Sequence, residues 1–316
     1  MKSAAIAFYN TENFFDTIDD PEKLDNEFTA HGSLKWTEKR YRNKVWKISH
    51  TISQIGWEET GNPPLFAGLA EIENKTVVRD LIQSENLRDY HYDFIHFDSM
   101  DERGIDNTLI YRKEFIQIVA AEAIRQSFVK ADGLEDYTRD DLYIKLKFNE
   151  ELMNVFVVHF PSRSNNNEKQ DFRNQIMRNL RLRIDEILTN EPESKIILMG
   201  DLNGNPDDPF AKKILRTSNK IHMSDFELYN PMLNFKDNIG SLKHENQWIL
   251  FDQIIFSKSF LNKNNRLQFR SAHIYQNESI QDWDKKFKGS PFRTFAGTKY
   301  LGGYSDHFPV YAILNY

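Results

Sequence analysis

The sequence predicts an α/β (α+β) fold of stacked β-sheets with helices on their outer faces, and three observations lead there. Short apolar runs alternate with stretches of helical spacing along most of the 316 residues. No short-period repeat is present, which argues against a solenoid or a propeller. Two apolar runs meet a loop at polar residues: Gly200-Asp201-Leu202-Asn203 follows Ile196-Ile197-Leu198-Met199, and Ser305-Asp306-His307 precedes Phe308-Pro309-Val310. Such an edge is where an α/β sheet presents reactive side chains.

The elements follow in order. Residues 4–9 read as a strand, and 38–55 as a helix through Tyr41, Val45, Ile48 and Ile52. A buried strand at 65–72 and a helix at 76–84 come next. Strands are predicted at 92–97, 107–111, 115–121, 142–148 and 154–159, before a long helix at about 168–188 with Phe172, Ile176, Leu180, Ile184 and Ile187 on one face. The second half gives a strand at 195–199, a short helix at 209–215, and strands at 248–256, 267–273 and 309–314. Residues 223–245 fit no periodicity.

The length favours two domains, but no Pro/Gly/Ser-rich linker divides the chain and the candidate site residues come from both halves, so one domain spanning 1–316 is expected. Hydrophobic residues at 40% and aromatic residues at 13% suffice for a large core, while a mean hydropathy of -0.64 leaves a charged surface. A net charge of -6 and pI near 5.9 supply no global field for a polyanion, so contact with nucleic acid must be local. Basic clusters exist at 35–47, 163–183 and 285–299, and most of their members read as solvated faces. With no cysteine there is no disulfide frame and no thiolate metal site. The opening apolar run is too short for a signal peptide and no stretch is long enough to span a bilayer, so a cytoplasmic protein is expected unless a leader preceded this numbering.

Glu71, in Gly68-Leu69-Ala70-Glu71-Ile72, follows an apolar strand and places a carboxylate at the sheet edge, where a hard cation fits. Magnesium keeps several waters and takes one or two carboxylates, so a sparse acidic site suits it. Asn10 closes the first strand and can set its amide beside that ion or a phosphate, although a turn Asn commonly bonds its own backbone. Asp201 and Asn203, two apart in an extended segment, point the same way, so one can deprotonate water while the other holds a phosphoryl oxygen; an Asx turn also fits Gly204-Asn205-Pro206-Asp207. His159 ends a strand ahead of Pro161-Ser162-Arg163 and can donate to a phosphate that Arg163 clasps. Asp252 is a third carboxylate, able to orient His307 and keep it charged.

The ordered set Asn10, Glu71, His159, Asp201-x-Asn203, Asp252 and Ser305-Asp306-His307 resembles that of the magnesium-dependent endonuclease/exonuclease/phosphatase superfamily, over about residues 4–314. The resemblance implies a four-layer α/β/β/α sandwich of two mixed sheets, DNase I-like, with the site at one rim. It also implies that Glu71 and Asp306 bind or tune Mg2+, with Mn2+ as a substitute, and that Asn10 lies beside the ion. Asp201 would activate water, Asn203 would hold the phosphoryl group, and the Asp252–His307 pair with His159 would stabilise the transition state.

Tyr9-Asn10-Thr11-Glu12-Asn13-Phe14-Phe15-Asp16, Arg103-Gly104-Ile105-Asp106-Asn107 and His159-Phe160-Pro161-Ser162-Arg163, with Arg173 on the next helix, look closest to a bacterial subgroup of that superfamily. Arg163 and Arg173 are the expected phosphate-binding cations, Arg173 being equally readable as a helix-surface charge. His31, His50, His91, His96, His222, His244 and His273 have no comparable context and read as structural or surface groups; Trp36, Trp46 and Trp57 read as core or helix-packing residues. A phosphodiesterase of nuclease type is the expected activity. A phosphomonoesterase on the same site and an idle partner-binding module are the alternatives. A phosphodiester, including nucleic acid, is the expected partner, and the oligomeric state stays open.

Overall fold

Strand β1 (Ser3–Phe14) shows how the layers arise. Ile6 and Phe8 face one core while Ala5, Ala7 and Tyr9 face another, because alternate side chains of a strand point to opposite sides. The structure, a computed structural model, describes residues 2–129, 133, 135–162, 167–236 and 238–316.

The remaining strands are β2 (Phe66–Ile72), β3 (Tyr92–His96), β4 (Asp106–Arg112), β5 (Ile116–Val129), β6 (Glu135–Phe148), β7 (Glu151–His159), β8 (Lys195–Asp201), β9 (Thr217–Ser218), β10 (Leu228–Tyr229), β11 (Leu242–His244), β12 (Gln247–Ile249), β13 (Asp252–Ser257), β14 (Gln268–Ile274), β15 (Phe295–Ala296), β16 (Lys299–Tyr300) and β17 (Val310–Asn315). The helices are α1 (Glu38–Gln54), α2 (Trp57–Thr60), α3 (Lys75–Ile82), α4 (Asn167–Asn190) and α5 (Pro209–Leu215). Among the described residues one sheet runs β14-β17-β1-β2-β4-β3 and a second runs β5-β6-β7-β8-β13-β10-β9. Both are mixed: β1 and β2 are parallel, as are β7 and β8, while β17, β4, β6 and β13 run antiparallel to their neighbours.

The inner faces of the two sheets share a core of Ile6, Phe8, Phe66, Val155, Val157, Ile197, Met199, Ile254 and Leu314. Tyr41, Val45, Ile48 and Ile52 of α1, with Val78 and Leu81 of α3, cover the outer face of the first sheet. Phe172, Ile176, Leu180 and Ile184 of α4, with Ala211 and Leu215 of α5, cover the second. The result is the expected four-layer α/β/β/α sandwich. Asn74 starts α3 by accepting from the Thr76 and Val77 N–H groups at 2.8 and 3.0 Å.

Three expectations change. The strand predicted at 248–256 is split into β12 and β13, because the loop after β8 claims the backbone between them: Leu250 N–H donates to Asn205 Oδ1 and Phe251 O accepts from Leu202 N–H, each at 2.9 Å. β6 begins at Glu135 rather than 142, since the polar run Thr138 to Asp141 is buried against partners that periodicity does not register. Trp36 is core, but Trp46 and Trp57 are 40% and 41% exposed; Trp46 stacks on His50 at a ring separation of 4.9 Å. The segment 223–245 holds β10, β11 and a 3-10 turn at Pro231–Asn234 that Asn230 caps.

Candidate active site

The two parallel pairs decide where polar side chains gather. β1 and β2 run to Asn10 and Glu71, β7 and β8 run to His159 and Asp201, and Asp252 opens β13 directly opposite Asp201. Asn10 Nδ2 donates to Asp201 Oδ2 at 3.0 Å, joining the sheets at the rim. Gly200 makes the final approach feasible: a Cβ there would lie 2.1 Å from the Val158 carbonyl oxygen, so β8 can close on β7 only with glycine before the aspartate.

The backbone at this rim is strained. Glu12, Asn13, Glu71 and Asn203 have φ of 54°, 47°, 63° and 45°, a left-handed region costly for residues with a Cβ. Local hydrogen bonds hold it: Asn13 N–H donates to Glu71 Oε2 at 2.7 Å, Asn203 N–H to Asp201 Oδ1 at 2.8 Å, and Asn203 Nδ2 to the Phe160 carbonyl at 2.8 Å. Strain gathered at one edge and maintained by surrounding contacts is typical of functional sites.

His307 and Asp252 form a buried pair, with Nδ1 and Oδ2 2.7 Å apart. Burial opposes charge on the ring, but Asp252, Asp306 and Asp201 outweigh it and raise the His307 pKa well above the usual range, so the ring is an imidazolium at neutral pH. Ser305 ties this loop to β1, donating to the Asn10 carbonyl at 2.7 Å and accepting from His307 N–H at 3.1 Å. Asp201 is pushed up to about 6 by burial and by Asp252.

His159 moves the other way. Burial, with the positive charges of Arg139, Arg103 and His307, lowers its pKa well below the ordinary value, so it is neutral. Its Nε2 stands 3.7 Å from Asp201 Oδ2 and 4.0 Å from Glu71 Oε1. Arg139 NH2 lies 3.3 Å from that nitrogen and its Nε donates to the His159 carbonyl at 3.1 Å. A guanidinium can only donate, so Nε2 here is an acceptor.

Asn10, Glu71, His159, Asp201, Asn203, Asp252 and His307 are thus brought together, and Asp306 adjoins them with Oδ1 4.0 Å from His307 Nε2 and Oδ2 accepting from Arg293 at 3.0 Å. Arg163 lies outside the described residues. Arg173 is not a surface charge: it is 2% exposed and donates from NH2 to the Leu202 carbonyl at 2.8 Å, beside the Asp201–Asn203 turn. The sequence reading missed Arg139, whose signal is a polar Thr-Arg-Asp-Asp run heading an apolar strand. It gave no role to Arg103, which donates to Asn13 Oδ1 at 2.6 Å and stands 3.8 Å from Glu71 Oε1. Lys44 was also missed; it is buried, donates to the Tyr304 carbonyl at 2.6 Å and faces Glu12 at 3.8 Å.

The donors suit a hard divalent cation. Glu71 Oε2 is engaged by backbone, while Oε1 has Arg103 at 3.8 Å and His159 at 4.0 Å, both beyond hydrogen-bond distance. Asp252 Oδ1 is buried without a described hydrogen-bond partner, and the Asp201 and Asp252 carboxylates have oxygens within 4.8 Å of one another. Carboxylate oxygens dominate this set, as magnesium or manganese requires. No described helix is long and apolar enough to cross a membrane.

Comparison with known proteins agrees with this geometry. Residues 5–316 match the model of the Endonuclease/Exonuclease/phosphatase family. No curated protein matches the chain by sequence. Among solved structures, D. rerio TDP2 complexed with single-strand DNA product is similar at TM-score 0.60 with 13% identity, covering 99% of both chains. The mannosyl-6-phosphatase of Bacteroides thetaiotaomicron VPI-5482 is similar at 0.60 and 15%, covering 99% of this chain and 100% of that one. The human Nocturnin catalytic domain with bound sulfate anion gives 0.55 and 15%, over 100% and 95% of the two chains. These likenesses establish the DNase I-like fold, and the family match together with it places the chain in the endonuclease/exonuclease/phosphatase family of phosphoester hydrolases.

Proposed function

We propose that the chain is a Mg2+-dependent phosphodiesterase of nuclease type, acting as one catalytic domain by direct attack of water on phosphorus. The observation that carries this reading is the opposed charge state of two groups at one rim: an acid poised to take a proton, Asp201, and a cationic acid partner, His307 on Asp252. Pairs of titratable groups pushed apart in this way mark acid and base roles.

Asp201, aimed by the Asn10 amide and the Asn203 N–H, accepts the proton of the attacking water. Asn203, steered by the Phe160 carbonyl, holds a phosphoryl oxygen. The imidazolium of His307 meets the negative charge that grows on the phosphoryl oxygens as the P–O bond to the leaving group breaks. With Nε2 accepting from Arg139, His159 is a neutral ring fixed beside Asp201, and Arg139 is the group that fixes it. Glu71 and Asp306 are the carboxylates that would hold Mg2+, or Mn2+ in its place, while Asn10 acts on Asp201. When bound, the ion supplies charge neutralisation at the phosphoryl group and a lowered pKa for water. Arg173 positions the Asp201–Asn203 turn through Leu202.

A cavity of about 290 Å3 opens beside Asp306, lined by Lys243, Lys286, Arg293, Phe287 and Leu301 among others. Glu245, Asp282 and Asp306 balance those cations, so the cavity offers room and an apolar wall to an organic group beyond the scissile phosphate, which supports the diester over a small monoester. The test is turnover of plasmid DNA, RNA, bis-p-nitrophenyl phosphate and a phosphomonoester panel, with Mg2+, Mn2+ or EDTA, by wild type, Asp201→Ala and His307→Ala. Diester hydrolysis lost with EDTA and reduced about 10²- to 10⁴-fold in each variant is expected. Turnover surviving both substitutions overturns the site assignment, and monoester preference transfers the same chemistry to the phosphatase reading.

A further inference from the structure

We propose that His96, Asp98 and Asp106 form a second cation site, for a divalent transition metal, separate from the phosphoester centre. One ligand atom from each lies within 4.8 Å of the other two. Acids gather on surfaces without ions, so the carboxylates alone decide nothing; the imidazole does. The His96 side chain is fully buried, and its Nε2 has no described hydrogen-bond partner. That nitrogen is 3.3 Å from Asp98 Oδ1, close enough to draw the Asp98 pKa down but too poorly aligned for a standard hydrogen bond. Two ligand atoms each about 2.1 Å from one ion stand roughly 3.0–3.4 Å apart, so the spacing is that of neighbouring ligands.

The surroundings orient the ring for this task. Nδ1 lies 2.6 Å from Thr108 Oγ1, and an Nδ1–H donated to that hydroxyl leaves the Nε2 lone pair aimed at the acids, as the outer partners of metal-binding histidines do. Asp106 is buried and held by the Ser99 N–H, 3.2 Å from each carboxylate oxygen. Asp98 is solvent-facing and its neighbour Lys75, 3.9 Å away, is about half exposed, so the ion has an entry path and the lysine can withdraw to water. An imidazole with two carboxylates favours Zn2+ or Mn2+ over Mg2+, which prefers oxygen alone.

The site brackets one loop. His96 ends β3, Asp106 opens β4, and between them Asp101 accepts from Arg139 at 3.1 Å while Arg103 reaches Asn13 and Glu71. An ion fastening both ends of this loop steadies the groups that brace His159 and Glu71.

The experiment is titration of the full-length protein with Zn2+ against a chromophoric chelator, in millimolar Mg2+ to occupy the phosphoester centre. One Mg2+-resistant Zn2+ per chain is expected, weakened about tenfold or more in His96→Ala and in Asp98→Asn and little changed in Glu71→Gln. Asp98→Asn alters an exposed side chain and keeps the test sound where His96→Ala unfolds, a state that a thermal melt identifies. Absence of Mg2+-resistant Zn2+ from the wild type, or affinity unchanged in Asp98→Asn, overturns the proposal. Loss in Glu71→Gln with retention in the other two variants also overturns it, because the zinc would then belong to the phosphoester centre.

Discussion

At the scale of the residue, the site depends on side chains whose protonation is set by neighbours. Asp201, raised to about 6 by burial and by Asp252, is the proposed base, so kcat/KM falls as pH drops below about 6 and the carboxyl retains its proton. A pH–rate profile of the Mg2+ enzyme checks this limb. Arg139 is the brace that composition concealed, binding His159 at both carbonyl and ring and Asp101 at 3.1 Å. Replacing it by Met keeps the stem and removes the fork. A loss of roughly 10- to 100-fold in kcat/KM is expected, of the size found when groups supporting a reactive residue are removed, with the α/β circular dichroism retained.

At the scale of the element, the strands that carry the site were readable because they are buried on both faces, and a buried strand writes itself as an apolar run. β8 was seen through Ile196–Met199 and β7 through Val155–Val158. Asp201 and His159 were legible for the same reason, as polar residues where such a run stops. Arg139, Lys44 and Glu12 were not, because nothing local reveals that a polar residue in a strand or helix is buried against a partner far along the chain. Lys44 sits within an amphipathic helix and meets Thr294 and Tyr304, more than two hundred residues on. Gly68 marks a close approach of the two sheets: a Cβ there would stand 2.8 Å from Met199 Sδ and 3.0 Å from Val157 Cγ1. Gly68→Ala should therefore destabilise by about 1–3 kcal/mol, the usual cost of overpacking, measured as a lowered denaturant midpoint at unchanged m-value.

At the scale of the whole molecule, several carboxyls are held away from water and resist ionisation. Asp141 is raised to about 8 by burial and by Asp140, and Glu73 to about 8 by burial and by Asp16. In the unfolded chain these groups ionise near pH 4, so between about 4 and 8 the folded state binds more protons than the unfolded one. Stability contributed by each is therefore full at low pH and is lost as pH rises to 8, by at most about 1.4 kcal/mol per pH unit. Denaturation across this range should show stability declining toward alkaline pH, and Asp141→Asn, which keeps an oxygen for Gln126 to donate to, should flatten the decline.

The hydrogen bond from Asn10 to Asp201 has a further consequence for how the catalyst comes into being. Its donor and acceptor lie 191 residues apart and on opposing sheets, so neither half of the chain owns a working centre during synthesis. A ribosome-bound chain that has emerged only as far as β2 carries Glu71 but not Asp201, the proposed base. On the proposed roles, competence waits for His307, just ahead of β17, so a chain truncated before that residue is expected to be inert.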